Sequence, residues 1–174
     1  MFLMARARIT LCCLATIILI ETAAAQAQDT VLIVGGIDND WPDEGVEYAM
    51  STIRVFQPLK SLTRVQPFPA KLNQGRIQPI VVAYKGNVLV AGGWSRGGCL
   101  ASSELFDHEK GEFSFTGPMI ACRSFPATAL IGSFFYACGG GNSHAYSSFD
   151  GFSDSCEYFD FADPFPRWRL TRYF

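Results

Sequence analysis

An all-β fold built from repeated antiparallel sheets is the architecture this chain's pattern predicts. Three observations carry the prediction. Short apolar segments stop at paired glycines three times, in Val31–Gly36, Val88–Gly93 and Phe134–Gly140. Those glycine pairs fall 57 and 47 residues apart, the interval of a supersecondary repeat of about 50 residues. The composition agrees. The 16 glycines and 15 phenylalanines suit short strands and tight turns, and 49% hydrophobic against 17% charged residues reverses the balance of a disordered chain.

The first element reads as an export leader over residues 1–27. Arg6 and Arg8 supply a positive start, Ile9–Ile20 is an apolar run, and Ala25-Gln26-Ala27 fits a small-x-small cleavage site. The run is too short for a spanning helix, which needs about 20 residues. The expectation is a secreted or extracytoplasmic protein whose residues 28–174 form one domain. Formal net charge is −2, one unit more negative without the leader, so no broad basic surface for nucleic acid is expected.

Cys12 and Cys13 lie in the leader, leaving Cys99, Cys122, Cys138 and Cys156. In an exported chain these suit two disulfides, while their wide spacing lacks the close pairs of a zinc site. Buried free thiols are the other reading. Cys138 ends one strand and Cys156 lies in the next, so adjacent strands can bring them together. Cys138–Cys156 with Cys99–Cys122 is the expected pairing.

After the leader the strands follow in register. They are expected at 31–34, 52–56, 79–83, 88–92, 103–106, 112–116, 127–130, 134–138 and 156–159. Arg76 precedes Gly92, and Arg123 precedes Gly139, by the same 16 residues. In both copies an apolar strand, a glycine-containing turn and a second strand lie between. Gly92-Gly93 and Gly139-Gly140 are expected where backbones approach so closely that a Cβ would clash. After each pair come a polar loop and a strand ending in an aromatic-Asp pair, Phe106-Asp107 or Phe159-Asp160. Phe113 follows Asp107 by six residues. The first copy, with Gly35-Gly36 and Ile53–Gln57, is degraded and begins at its second strand. Arg167, Arg169 and Arg172 alternate with Trp168, Leu170 and Tyr173, as in an outer strand with its arginines in water.

This set of residues resembles the kelch repeat over about residues 31–174. The resemblance implies a partial β-propeller, an arc of about three four-stranded blades over roughly 31–75, 76–122 and 123–174. The aromatic-Asp pairs stand where that family has Tyr-Asp, Phe113 stands at its later aromatic, and Pro118-Met119 with Arg123 leads into the next blade. Kelch propellers close with more blades than three. A fragment, a ring completed by self-association through open blade edges, and a free-standing arc are the three readings this leaves.

The chemistry-bearing residues are sparse. Asp38, Asp40, Asp43 and Glu44 form an acidic loop interrupted by Trp41-Pro42, without the glycine and terminal glutamate of an EF-hand. The glycine pairs lack the flanking residues of a phosphate cradle. Of the two histidines, His108 falls in a turn, and His144 with Tyr146 lies in the polar loop after the third glycine pair. No nucleophile elbow is present. No catalytic residue, metal or cofactor is expected. The kelch resemblance implies a binding module presenting loops to a protein or glycan, with Asp38, Asp40, Trp41, Arg96, His144 and Tyr146 as candidate contacts. The alternatives are a remnant of a galactose-oxidase-like copper enzyme, since that enzyme's central domain is a kelch propeller, and an inactive structural fragment.

Overall fold

A computed structural model describes residues 16–20, 30–35, 51, 53–56, 66–67, 70–95, 97–141 and 151–171. The described residues contain strands and turns and no helix, in agreement with the all-β expectation. Three four-stranded antiparallel sheets follow one another along the chain. The first has the order β1 (Thr16–Ile20), β2 (Thr30–Val34), β3 (Ile53–Phe56) and β4 (Gln66–Pro67). The second runs from β5 (Ile80–Tyr84) through β6 (Asn87–Ala91) to β9 (Ser103–Asp107) and β10 (Glu112–Thr116). The third runs β11 (Ala127–Ile131), β12 (Phe134–Cys138), β13 (Cys156–Asp160) and β14 (Trp168–Leu170). Between β6 and β9 a small hairpin, β7 (Trp94–Ser95) with β8 (Gly98–Cys99), rises from the second sheet.

All nine expected strands are present, most with ends shifted by one residue. The shifts have local causes. Pro79 has no N–H for the ladder, so β5 begins at Ile80 rather than at 79. Asp107 and Asp160 extend β9 and β13 and then fold the chain over. Asp107 Oδ1 accepts the N–H groups of Glu109 and Lys110 at 2.9 and 3.1 Å. Asp160 Oδ1 accepts the Ala162 N–H at 3.0 Å and the Ser133 hydroxyl at 2.7 Å. Each acid mimics a backbone carbonyl and closes a turn.

The first sheet departs from expectation. Thr16–Ile20 pairs along its whole length with Thr30–Val34, so the first copy does not begin at its second strand. The segment is TIILI, rich in the β-branched residues that favour a pleated strand. It takes the edge that β2 would otherwise leave unpaired. Cleavage after Ala27 would remove this strand, so the leader reading and the pairing assign the same residues to different roles.

The core lies between sheets. One cluster joins Val34 of the first sheet to Val88, Val90 and Phe113 of the second, with Ala70 and Leu72 from the linker. Another joins Ile80, Val82, Leu89 and Ala91 of the second sheet to Phe135, Ala137, Phe159 and Trp168 of the third, with Met119. The second sheet is therefore covered on both faces, which explains its continuous apolar strand β6, where four of five residues are buried. Phe113 packs on Phe106 with ring centroids 5.2 Å apart. Phe159 lies against Trp168 at 5.6 Å. In the carboxy-terminal strand Trp168 is buried and Arg167 is exposed as expected, but Leu170 stays in water rather than packing. Arg169 instead pairs with Asp163 on the surface.

Candidate functional site

The four-stranded sheets have two unlike ends. At one end, turns at 85–86, 108–111 and 132–133 are tight. At the other lie the glycine pairs, the β7–β8 hairpin and the segment 139–155, and here the chain places its buried charges and its disulfides.

Arg76 and Glu104 are buried and pair at 3.0 Å. Arg76 Nη1 donates to the Gly92 carbonyl at 3.0 Å and to the Ser102 carbonyl at 2.8 Å. Glu104 in turn accepts the backbone N–H of Asn73 at 2.6 Å and of Gln74 at 3.2 Å. Burial pulls the Arg76 pKa below its ordinary value, opposed by the hydrogen bond and charge of Glu104. An arginine remains charged through such a shift.

The next repeat copies the device. Arg123 and Glu157 are buried and pair at 3.0 Å. Arg123 Nη1 donates to the Gly139 carbonyl at 2.7 Å and to the Ser155 carbonyl at 2.9 Å. The Ser153 and Ser155 hydroxyls complete the ring at 2.9 and 2.6 Å. Glu157 accepts the N–H groups of Ile120 and Ala121 at 2.6 and 3.0 Å. Each arginine thus ties a linker to the ends of the second and third strands of its own sheet, just where a loop departs.

The cysteines pair as expected. Cys99 is joined to Cys122, with Cα atoms 5.6 Å apart. Cys138 is joined to Cys156, its direct partner in the β12–β13 register, with Cα atoms 4.0 Å apart. The first bond fastens the β7–β8 hairpin to the linker before Arg123. The second closes the base of the segment between β12 and β13. Cys99 Sγ lies 3.5 Å from the Gly141 carbonyl oxygen. Gly141 is itself bridged to Ser124 and to Phe152. The hairpin and the last segment are therefore neighbours on one surface. Two disulfides fit an extracytoplasmic location. Among the described residues no helix is long and apolar enough to cross a membrane. Non-reducing peptide mapping is expected to recover Cys99 with Cys122 and Cys138 with Cys156. Replacing Cys138 and Cys156 together by serine should cost about 2–4 kcal/mol of stability. A Cys99–Cys156 peptide would overturn this pairing.

The glycine pairs mostly behave as expected. A Cβ on Gly92 would lie 2.5 Å from the Arg123 carbonyl oxygen, and one on Gly140 2.7 Å from the Ser124 carbonyl oxygen. Gly93 is held as closely against the Ile77 carbonyl, at 2.6 Å, and Gly35 meets the Arg76 carbonyl in the same way. Gly139 is the exception. Its nearest neighbour would be the Ser153 carbonyl at an ordinary 3.5 Å, so only its φ of +69° requires glycine.

Of the candidate contact residues, Asp38, Asp40, Trp41, Arg96, His144 and Tyr146 all lie outside the described residues, as does Gly36. His108 is exposed in the β9–β10 turn, as its position implies. Asp107 beside it is held below its ordinary pKa, chiefly by a hydrogen bond from Lys110. Among the described residues no group of three or more His, Cys, Asp or Glu is placed to hold a metal. The sequence reading overlooked Glu104 and Glu157. Their signal was present, since each is an acid inside an apolar strand, one per copy, in copies that each carry one arginine at fixed offset.

No family model matches the chain, and no curated protein matches it significantly. Its fold is similar to a solved structure titled "Structure of YjhT", at 12% identity and a TM-score of 0.64. The match covers 88% of this chain and 54% of that one, so this chain spans about half the length of the structure it matches.

Proposed function

We propose that the three sheets are blades of a kelch-like propeller arc, and that the arc is a non-catalytic binding module. The surface that binds is the disulfide-bearing end, and the partner is a protein or a glycan. One observation carries this reading. Both disulfides and both buried Arg–Glu pairs brace the same end of the sheets, the end from which the longer loops leave. Loops on a stiff frame lose little entropy on binding, so they make effective contact surfaces. The repeated glycine, arginine and aromatic-Asp positions support the kelch reading, since each occupies the same structural place in successive sheets.

Binding is tested on a glycan array and on a panel of secreted and cell-surface ectodomains. Replacing residues 142–150 by a Gly-Ser segment of equal length should abolish binding without lowering the melting temperature. His144→Ala with Tyr146→Ala should weaken it. Stoichiometric copper with peroxide release from an alcohol, lost in His144→Ala, would instead establish the oxidase alternative.

A further inference from the structure

The two disulfides have unlike surroundings. Cys138 and Cys156 face each other inside the β12–β13 ladder, which pairs those strands along their whole length. That ladder keeps the two sulfurs together whether or not they are bonded. Cys99 and Cys122 lie outside the four-stranded ladders. One is in the two-residue strand β8, the other in the linker between the second and third sheets. The backbone bond beside them, from the Arg123 N–H to the Leu100 carbonyl, is 3.3 Å long. Opening Cys99–Cys122 therefore removes no pair from either sheet. Nor does it release the linker. The Met119 N–H still donates to the Ala101 carbonyl at 2.8 Å, and the Ile120 and Ala121 N–H groups still donate to Glu157. Cys99 also has a second partner in place. Its Sγ lies 3.5 Å from the Gly141 carbonyl oxygen. A disulfide sulfur has no hydrogen to give, whereas a thiol is a weak donor. The same oxygen accepts the Ser124 N–H at 2.9 Å, and the Ser124 hydroxyl reaches it at 3.3 Å. A carbonyl has two lone pairs, so a thiol can join the N–H by displacing the hydroxyl.

We infer that Cys99–Cys122 is a redox latch on the disulfide-bearing end of the sheets. Closed, it ties the β7–β8 hairpin to the linker of the third sheet. Open, it leaves the hairpin joined to the segment after β12, through a Cys99 S–H bond to the Gly141 carbonyl. The reductant is a dithiol. Cys99 is buried and Cys122 half-buried, so a thiolate of the dithiol attacks Cys122 Sγ. The Cys99–Cys122 bond breaks, its electron pair goes to Cys99 Sγ, and that sulfur takes a proton. The second sulfur of the dithiol then attacks the mixed disulfide. Cys122 leaves as a thiolate, is protonated in turn, and the dithiol becomes a disulfide. Two electrons and two protons pass to the protein. The latch sets whether the hairpin is coupled to the linker or to the neighbouring segment, and so controls the surface proposed above to bind. That purpose rests on the proposed function, but the opening itself does not.

The folded protein is titrated with dithiothreitol, and the thiols formed are alkylated and mapped. Cys99 and Cys122 should be modified at roughly tenfold less dithiol than Cys138 and Cys156, because paired strands hold their thiols at a high effective concentration. Circular dichroism should not change at that step. Hydrogen exchange at the Leu100 and Arg123 amides should rise about tenfold or more, while the amides of β6 and β12 keep their protection. Cys99→Ser with Cys122→Ser should copy the open form without reductant, since a serine hydroxyl can donate to Gly141 as the thiol does. Cys99→Ala with Cys122→Ser should also fold, but the Ser124 and Gly141 amides should exchange faster than in the serine variant. Cys138–Cys156 opening first, both disulfides opening together with loss of the sheets, or equal exchange in the serine and alanine variants would each overturn the inference. A latch that opens as described, on a protein whose loops bind nothing, would overturn the proposed function alone.

Discussion

Arg123→Met is expected to lower unfolding free energy by about 3–5 kcal/mol. The methionine keeps much of the volume but none of the donors. Glu157 would remain buried with its charge facing an apolar side chain, still held by the N–H groups of Ile120 and Ala121. The Gly139 carbonyl would lose the arginine as donor, and the Ser155 carbonyl would keep only the Gly139 N–H. Removing one partner of a buried pair costs more than the pair is worth, because the desolvated charge is left behind. The double variant Arg123→Met with Glu157→Leu should therefore be less damaging than Arg123→Met alone. Arg167→Met, at an exposed position, should stay within about 0.5 kcal/mol of the parent. Urea unfolding with the disulfides intact gives these three values and that of Glu157→Leu alone. If the double variant is as unstable as the sum of its two single replacements, the pair is not coupled as its geometry implies.

The same cluster shows what a sequence of this kind makes legible. Arg76 and Arg123 stand at one offset from their glycines because each donates to the carbonyl of the glycine 16 residues on. The offset was visible without the structure, but its cause was not. Glu104 and Glu157 receive N–H groups from linkers 30 or more residues away, a contact that no local pattern encodes. The longer strands were legible because glycine turns bound them and their apolar residues fill the space between sheets. β4, β7 and β8 were not, since two residues are too few to show alternation. β1 was read as part of a leader because an unbroken apolar run carries no period. The exposure of β11 was hidden for a different reason. Its sequence, ATALI, is that of an interior strand, yet all five of its residues are exposed. The candidate contact residues belong to loops, where neither period nor register fixes a side chain's place.

Gly92→Val is expected to cost about 4 kcal/mol of stability. Two separate costs meet there. The backbone sits at a φ of +60°, which a β-branched residue adopts at a cost of about 1–2 kcal/mol. The added Cβ would also press on the Arg123 carbonyl oxygen at 2.5 Å and on Met119 Cε at 2.9 Å. Met119 is flexible and can turn away. The carbonyl cannot, because it accepts the Gly93 N–H at 2.9 Å and belongs to the residue that anchors the third sheet. Gly86 separates the two costs. Its φ is +83°, yet nothing lies within 4 Å of its added Cβ. Gly86→Val should therefore lose only the conformational part, roughly 1–2 kcal/mol. The difference between the two variants, read from urea unfolding in one buffer, measures the clash alone. Equal losses would mean that the approach of Arg123 to Gly92 does not constrain the fold. A larger loss at Gly92 would show that the glycine is kept to let one sheet's linker lie directly on another sheet's strand end.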